Sequence, residues 1–571
     1  MIRSRSPVLR ISRPLVVLAL CAQFAGPAHA FGTSGSYLAA RHASYESNYV
    51  AAAEYYTRAL ALDPGNPSLM EAVISSNINM GEVARGFPVA RRMIGAGLRS
   101  QVANMAGLAE RVTEGDFTGL IGTLQGGETV GALVDGLALA WAQFGAGQVT
   151  EALATFDAVS AEQGLKSFAL YHKALALAIA GDFEGADDIL SGRASGPLQM
   201  SPRGILAHAQ VLAQLDRRGD AAELVGSVFG ANASPEFEAL VADLTSGAPV
   251  PYDIATDAGE GIGEVFHAVG SALVGESAPG YTLLYARLAE FLNPNNVDAT
   301  LLSAELLEQM EQYELATQTY DRVPQDHPAF VNAEIGRAEA LLDAGRDEGA
   351  VEALTQLAKR FPESRIVQYR LGDMLRSLDR HGEAAVAYDR AIALTDDPQQ
   401  SDWPLFFSRG ISLERTDRWD EAEADFRFAL ELQPDQPQVL NYLGYSLVEM
   451  GENLDEALGM IERAVAGRPD DGYITDSLGW VLYRMGRYDE AIVHMERAVE
   501  LMPVDPIIND HLGDVLWAVG RRIEARFQWH RALSFDPEPD EAQRIRRKLE
   551  VGLDQVLSEE GAEPLAAIND G

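Results

Sequence analysis

The chain has 571 residues, 47% of them hydrophobic and 23% charged, a balance that supplies ample apolar surface for a folded protein. Its 84 acidic residues stand against 45 basic ones, giving a formal net charge of −39. Nucleic acid and anionic membrane surfaces are poor ligands for such a chain, because phosphate contacts call for Lys and Arg.

Residues 1–30 read as a secretory signal peptide. Arg3, Arg5, Arg10 and Arg13 make a basic start, residues 15–25 an apolar run too short to span a bilayer, and Ala28-His29-Ala30 a small-residue cleavage site. Cleavage after Ala30 and export to a bacterial periplasm are the expectation. Cys21 raises a rival, attachment of a lipid, but Leu20 precedes it where that processing takes Gly, Ala or Ser. It is the single cysteine, so a cleaved chain has neither disulfide nor thiolate chemistry.

A repeat begins directly afterwards. Ala40, Ala52, Tyr56, Ala59 and Pro64 stand at the same offsets as Gly479, Ala491, Met495, Ala498 and Pro503 further on. Gly81 and Gly115 keep a beat of 34 residues while the Ala and Pro positions fade. The pattern returns at Ala140, Gly147, Ala152 and Phe156, again 34 residues on at Ala174, Gly181, Ala186 and Leu190, and then at Ala209, Asp216 and Ala221. Apolar residues at helical intervals on either side of a mid-unit turn give helix, turn, helix. Residues 31–244 are therefore expected to hold about six degenerate hairpins. Gly247, Pro249, Pro251, Gly259 and Gly261 then break the periodicity, and residues 245–262 read as a flexible loop or hinge. Gly261-Ile262-Gly263 is no dinucleotide fingerprint, since no strand precedes it and no third glycine follows.

From residue 263 the units can be counted. Gly270, Ala304, Ala338, Gly372, Gly410, Gly444, Gly479 and Gly513 mark the small residue of each first helix, at intervals of 34, 34, 34, 38, 34, 35 and 34. Pro294, Pro328, Pro362, Pro434, Pro469, Pro503 and Pro537 close all but one of them. Eight regular repeats thus cover 263–539, with the long interval assigned to a loop around residues 395–401. A helix at 540–557 is expected to cap the last repeat, with Ile545, Leu549, Leu553 and Val556 on its buried face and Arg544, Arg546, Arg547 and Lys548 largely on the others. Residues 558–571 are expected to form a disordered acidic tail.

Repetition of the Leu-Gly, Gly, Ala, Ala, Pro pattern over 437–539 resembles the tetratricopeptide repeat. The resemblance implies an all-α fold, a right-handed α-solenoid of helix–turn–helix repeats whose first helices line a concave groove. Carried onto this sequence, the groove positions are Asn441, Tyr442, Tyr445, Asp476, Ser477, Trp480, Tyr483, Asp510, His511, Asp514 and Trp517, with Arg370, Asp373 and Phe407 continuing the line. Aromatic rings beside carboxylates suit a basic or apolar peptide, since Tyr and Trp offer large contact area at low entropy cost. Trp480 and Tyr483 can equally fill the space between repeats. The groove clamp for an anionic chain end requires Lys, and Tyr445 stands where that Lys would be.

Catalytic patterns are missing: no His-Glu-x-x-His helix, no phosphate loop and no complete calcium loop at Asp470-Asp471-Gly472. A non-enzymatic protein without cofactor or metal is expected. Residues 440–533 further resemble exported bacterial repeat proteins, among them adaptors that deliver substrates to a periplasmic carboxyl-terminal-processing protease. That resemblance implies a periplasmic scaffold binding protein or peptide partners. The alternatives are an assembly factor for envelope or polysaccharide machinery, or a ligand-binding N-terminal half.

Overall fold

The computed structural model describes residues 33–126, 130–230, 234–562 and 565. The expected signal peptide lies outside the described residues, as do 563–564 and 566–571 of the expected tail. Among the described residues the chain forms 31 α-helices and no strand, and no helix is long and apolar enough to cross a membrane.

The hairpin follows from two requirements. At the turn, Gly486 and Gly520 take φ of +75° and +80°, where a Cβ is disfavoured. Units without that glycine place Asp216, Asp379 and Asp417 in the same left-handed region, which Asp tolerates better than most residues. At the helix crossing, a Cβ on Gly479 would stand 2.8 Å from Met495 Cγ, and one on Gly513 would stand 2.4 Å from Trp529 Cδ1. The marker residue is small because a bulky residue of the second helix occupies its space.

The chain divides at residue 353 into two compact units. In the first, six hairpins run from helix Thr33–Tyr45 to helix Arg218–Phe229, followed by the lone helix Pro235–Ser246 and then by regular pairs from helix Ala258–Leu273 onward. One apolar core extends from Ala40 to Ala299. This unit closes on itself. Asn79 Nδ2 donates to Gly280 O at 3.0 Å, Tyr49 OH approaches Met310 Sδ at 3.2 Å, and Gln312 Nε2 donates to Glu46 O at 3.0 Å. Arg287, 1% exposed, fastens the seam by bonding Glu290 at 2.8 Å, Thr319 Oγ1 at 3.0 Å and Asn79 O at 3.4 Å.

Of the 245–262 stretch, residues 247–257 form the expected loop. Helix Ala258–Leu273 takes up residues 258–262 and packs against helix Ala132–Gly145. Gly261 lies on that contact, where an added Cβ would come within 2.6 Å of the Trp141 ring. The glycines that interrupt the sequence pattern thus serve close packing. The preceding segment is pinned as well: Ile254 and Ala255 are buried, Gln210 holds Asp253, and Gln214 Nε2 donates to Val250 O at 2.6 Å.

The second unit holds the pairs from helix Arg365–Ser377 to helix Arg522–Ser534, around a core that reaches from Ala385 to Leu553. A 3-10 turn at Gln400–Asp402 accommodates the long interval. The expected single capping helix is two. Helix Pro539–Val551 stops at Gly552, whose φ of +87° and ψ of 160° turn the chain into helix Leu553–Glu560. The second helix also takes in residues 558–560 of the expected tail.

Candidate functional site

Helices Pro437–Met450, Gly472–Arg484 and Pro506–Ala518 carry the predicted groove residues in register. Asn441, Asp476 and Asp510 each stand three residues before their marker glycine. Each has an Oδ1 that is buried and meets no donor among the described residues. Ser477 instead turns into its own helix, donating to Tyr473 O at 3.0 Å.

The remaining positions fall into three groups. Tyr442 packs edge-on to Phe407 at 5.7 Å and against Phe426 at 5.2 Å, and its hydroxyl donates to Glu414 at 3.2 Å. Burial, then Glu414, push the Tyr442 hydroxyl up to about 12. Further along, Trp480 lies flat between Tyr483 at 4.8 Å and His511 at 4.0 Å, with its Nε1 donating to Glu449 at 2.7 Å. His511 Nδ1 meets Asp476 Oδ2 at 2.9 Å. Burial alone would lower the imidazole pKa, but Asp476, with Asp510 and Asp514 nearby, prevails and raises it above 6.5. Tyr445 is half-buried, and burial first, then Glu449 and Asp476, raise its hydroxyl.

The third group is covered from within the chain. Lys548, fully buried, places its Nζ 2.7 Å from Asp510 Oδ2 and 2.7 Å from both oxygens of Asp514. Trp529 Nε1 donates to Asp514 Oδ1 at 2.9 Å, and Arg544 stands 3.6 Å away. Burial pushes the Asp514 carboxyl up, outweighing the pull of Lys548 and Arg544. Trp517 donates to Asp554 at 3.0 Å and lies beneath the Arg522 guanidinium, 4.8 Å from the ring centroid.

The predicted residues therefore split. Asp510, Asp514 and Trp517 are not an open groove, because helices Pro539–Val551 and Leu553–Glu560 sit on them. Tyr483 is buried at 8% exposure, as its packing alternative implies, while Tyr442, Tyr445 and Trp480 stay half-buried. Asp373 is tied to its own hairpin by the Tyr388 hydroxyl at 2.8 Å, and Arg370 is exposed. Lys548 contradicts its expected placement on an outer face. Nothing in Arg546-Arg547-Lys548 distinguishes the buried cation from its solvated neighbours.

A second polar centre lies in the first unit. Arg203 donates from Nε to both Glu264 oxygens at 2.9 Å, from Nη2 to Oε1 at 2.7 Å, and from Nη1 to Asp298 Oδ2 at 2.9 Å. Glu264, 0% exposed, also accepts from Asn296 Nδ2 at 2.9 Å. The missed signal was a carboxylate inside the apolar run Ile262-Gly263-Glu264-Val265-Phe266, which calls for a buried partner. Among the described residues no group of three or more His, Cys, Asp or Glu side chains is arranged to hold a metal ion.

Tetratricopeptide-repeat family models match residues 137–191, 335–401, 407–472 and 476–503. These segments are tetratricopeptide repeats. The tetratricopeptide-repeat matches fall in both the regular region and the degenerate one. TPR repeat-containing protein PA4667 of Pseudomonas aeruginosa is 30% identical over 159 residues, which cover 28% of this chain and 26% of that protein. The aligned stretch thus spans about a quarter of that relative's length. Among solved structures, the chain is similar to the APC/C hetero-tetramer Cut9–Hcn1, at 14% identity and a TM-score of 0.37 over 94% of this chain and 99% of that one. It is also similar to YrrB, described as a TPR protein with an unusual peptide-binding site, at 22% identity and a TM-score of 0.28 over 34% of this chain and 99% of that one.

Proposed function

We propose that this repeat protein is a non-catalytic scaffold that holds basic and apolar segments of partner proteins on the first-helix faces of its second unit. The repeat fold supports protein or peptide binding in general. The observation that carries the narrower reading is Lys548, a cation from an amphipathic helix seated on Asp510 and Asp514. That intramolecular contact supports the reading, as an example of a helix-borne cation on these first-helix carboxylates. Upstream the same residue types recur, and among the described residues no Lys is bonded to them: Trp480 and Tyr445 stand beside Glu449, which Arg484 approaches at 3.7 Å, and Tyr442 beside Glu414, which Arg415 approaches at 3.6 Å. A partner cation and its apolar neighbours would find carboxylates and ring surface there.

Export to the periplasm is part of the proposal, supported by the basic, apolar and small-residue pattern of residues 1–30. Delivery of substrates to an envelope protease is its narrowest form, supported by the resemblance over residues 440–533. One affinity-capture experiment, with the full chain as bait in the producing cell, tests all three levels. The mature bait is expected to begin at Phe31, and its partners to fall at least tenfold in Trp480→Ala and in Glu449→Arg. A carboxyl-terminal-processing protease is expected among them. Equal recovery of every partner by the variants sinks the groove reading, a bait retaining residues 1–30 sinks export, and absence of such a protease sinks delivery.

A further inference from the structure

The first unit contains a cavity of about 670 Å³, within the range of ligand sites. Helices Lys166–Ile179, Pro202–Gln214, Pro235–Ser246 and Ala258–Leu273 line it, together with Asp298 of helix Val297–Gln309, and it opens to solvent. Phe168, Met200, Leu206, Phe237 and Ala272 make much of its wall. It shares no residue with the groove of the second unit, and its argument does not depend on that groove.

Charge in this cavity is unbalanced. Glu236, Glu264 and Asp298 line it, and Arg203 is its single guanidinium or ammonium group. That cation is already committed, with Nε, Nη1 and Nη2 all bonded to Glu264, Asp298 or Ile254 O. Glu264 is likewise satisfied, by Arg203 and Asn296. Glu236 differs from both: it lines the same space and accepts no hydrogen bond from any described residue. Burial, then Asp298, push its carboxyl up to about 7 against the pull of Arg203, as befits a carboxylate whose counter-charge is missing. An anionic ligand would find no free cation here, and a neutral one would leave Glu236 to be neutralised by a proton, whereas a cation can pair with its carboxylate. His267 is held neutral by its burial and supplies no charge.

We propose that this cavity is a binding site for an ammonium or guanidinium group carried on an apolar stem, the cation meeting Glu236 and Asp298 and the stem lying against Phe168, Met200 and Phe237. That chemistry has two sources, a free organic amine or a Lys or Arg side chain of a partner segment. Both are reached by titrating the full chain calorimetrically with 4-phenylbutylammonium, with the neutral 4-phenylbutanol, and with the peptide acetyl-Leu-Lys-Phe-amide.

The ammonium compound or the peptide is expected to saturate one site per chain, with the alcohol at least tenfold weaker than the ammonium compound. Tighter binding of the peptide identifies a partner side chain as the source, and tighter binding of the ammonium compound identifies a free amine. Glu236→Gln is expected to weaken the cationic probes at least tenfold. Ala272→Trp, at an exposed position of the cavity rim, is expected to block them while leaving thermal unfolding unchanged. The proposal is overturned if the alcohol binds as well as the ammonium compound, if neither cationic probe saturates the chain, or if binding survives both substitutions intact.

Discussion

His511 sits between the Trp480 ring at 4.0 Å and the Asp476 carboxylate at 2.9 Å, so its charge matters to the stability of the second unit. A hydrogen bond between charged groups contributes about 1.5–3 kcal/mol. Because the folded-state pKa is raised above 6.5, that contribution is complete below about pH 6.5 and declines as pH rises through the raised value. His511→Phe keeps the stacked ring and removes the titration. The stability difference between wild type and His511→Phe in urea unfolding should therefore shrink between pH 6 and 8, and a difference constant over that window would contradict the pairing. At this scale the sequence was legible in part. The register relative to Gly479 and Gly513 placed Asp476, His511, Asp510 and Asp514 on first-helix faces. It could not tell which carboxylates were already matched, because Lys548 comes from outside the repeat pattern and resembles the arginines beside it.

Gly552 decides how the second unit ends. Its φ of +87° with ψ of 160° lies in a region essentially restricted to glycine, where another residue costs about 1–3 kcal/mol. A Cβ there would also meet Trp517 Cζ2 at 2.6 Å. Gly552→Ala is expected to release helix Leu553–Glu560, and with it the Asp554 carboxylate that holds Trp517 Nε1. Limited proteolysis should then cut between residues 551 and 560 in the variant but not in the wild type; equal resistance would show that the turn tolerates a side chain. Glycine also explains why residues 258–262 read as loop in the sequence and fold as helix. In a sequence Gly261 looks like a helix breaker, whereas in the fold it lets the Trp141 ring lie against the helix backbone. The two uses carry the same letter, and only the neighbour that makes Gly necessary separates them.

At the scale of the molecule, the periodicity revealed helix pairs and their count in the regular region, because a repeat pattern encodes contacts between successive helices. The closure of the first unit was hidden, since Asn79, Arg287 and Gln312 recur at no interval and meet across more than 200 residues. Arg287→Met should expose the difference between a closed array and an open one. It leaves the buried Glu290 with Arg322 as its remaining partner, so the loss falls below the about 3–5 kcal/mol that an uncompensated buried charge costs. Hydrogen exchange is expected to accelerate in residues 33–79 and 279–322 together, while residues 132–190 keep their protection. Acceleration confined to 279–322 would mean that the seam contributes nothing. The closure also sets an order of assembly. The first hairpins leave the ribosome early, yet the surface they bury against Gly280, Arg287 and Met310 does not exist until some 250 residues later. Local pairing can proceed as the chain is made, but sealing the seam is a long-range step of the kind that slows folding. Until then the oldest part of the chain is the least finished, and it is there that a chaperone or a protease would find its opportunity.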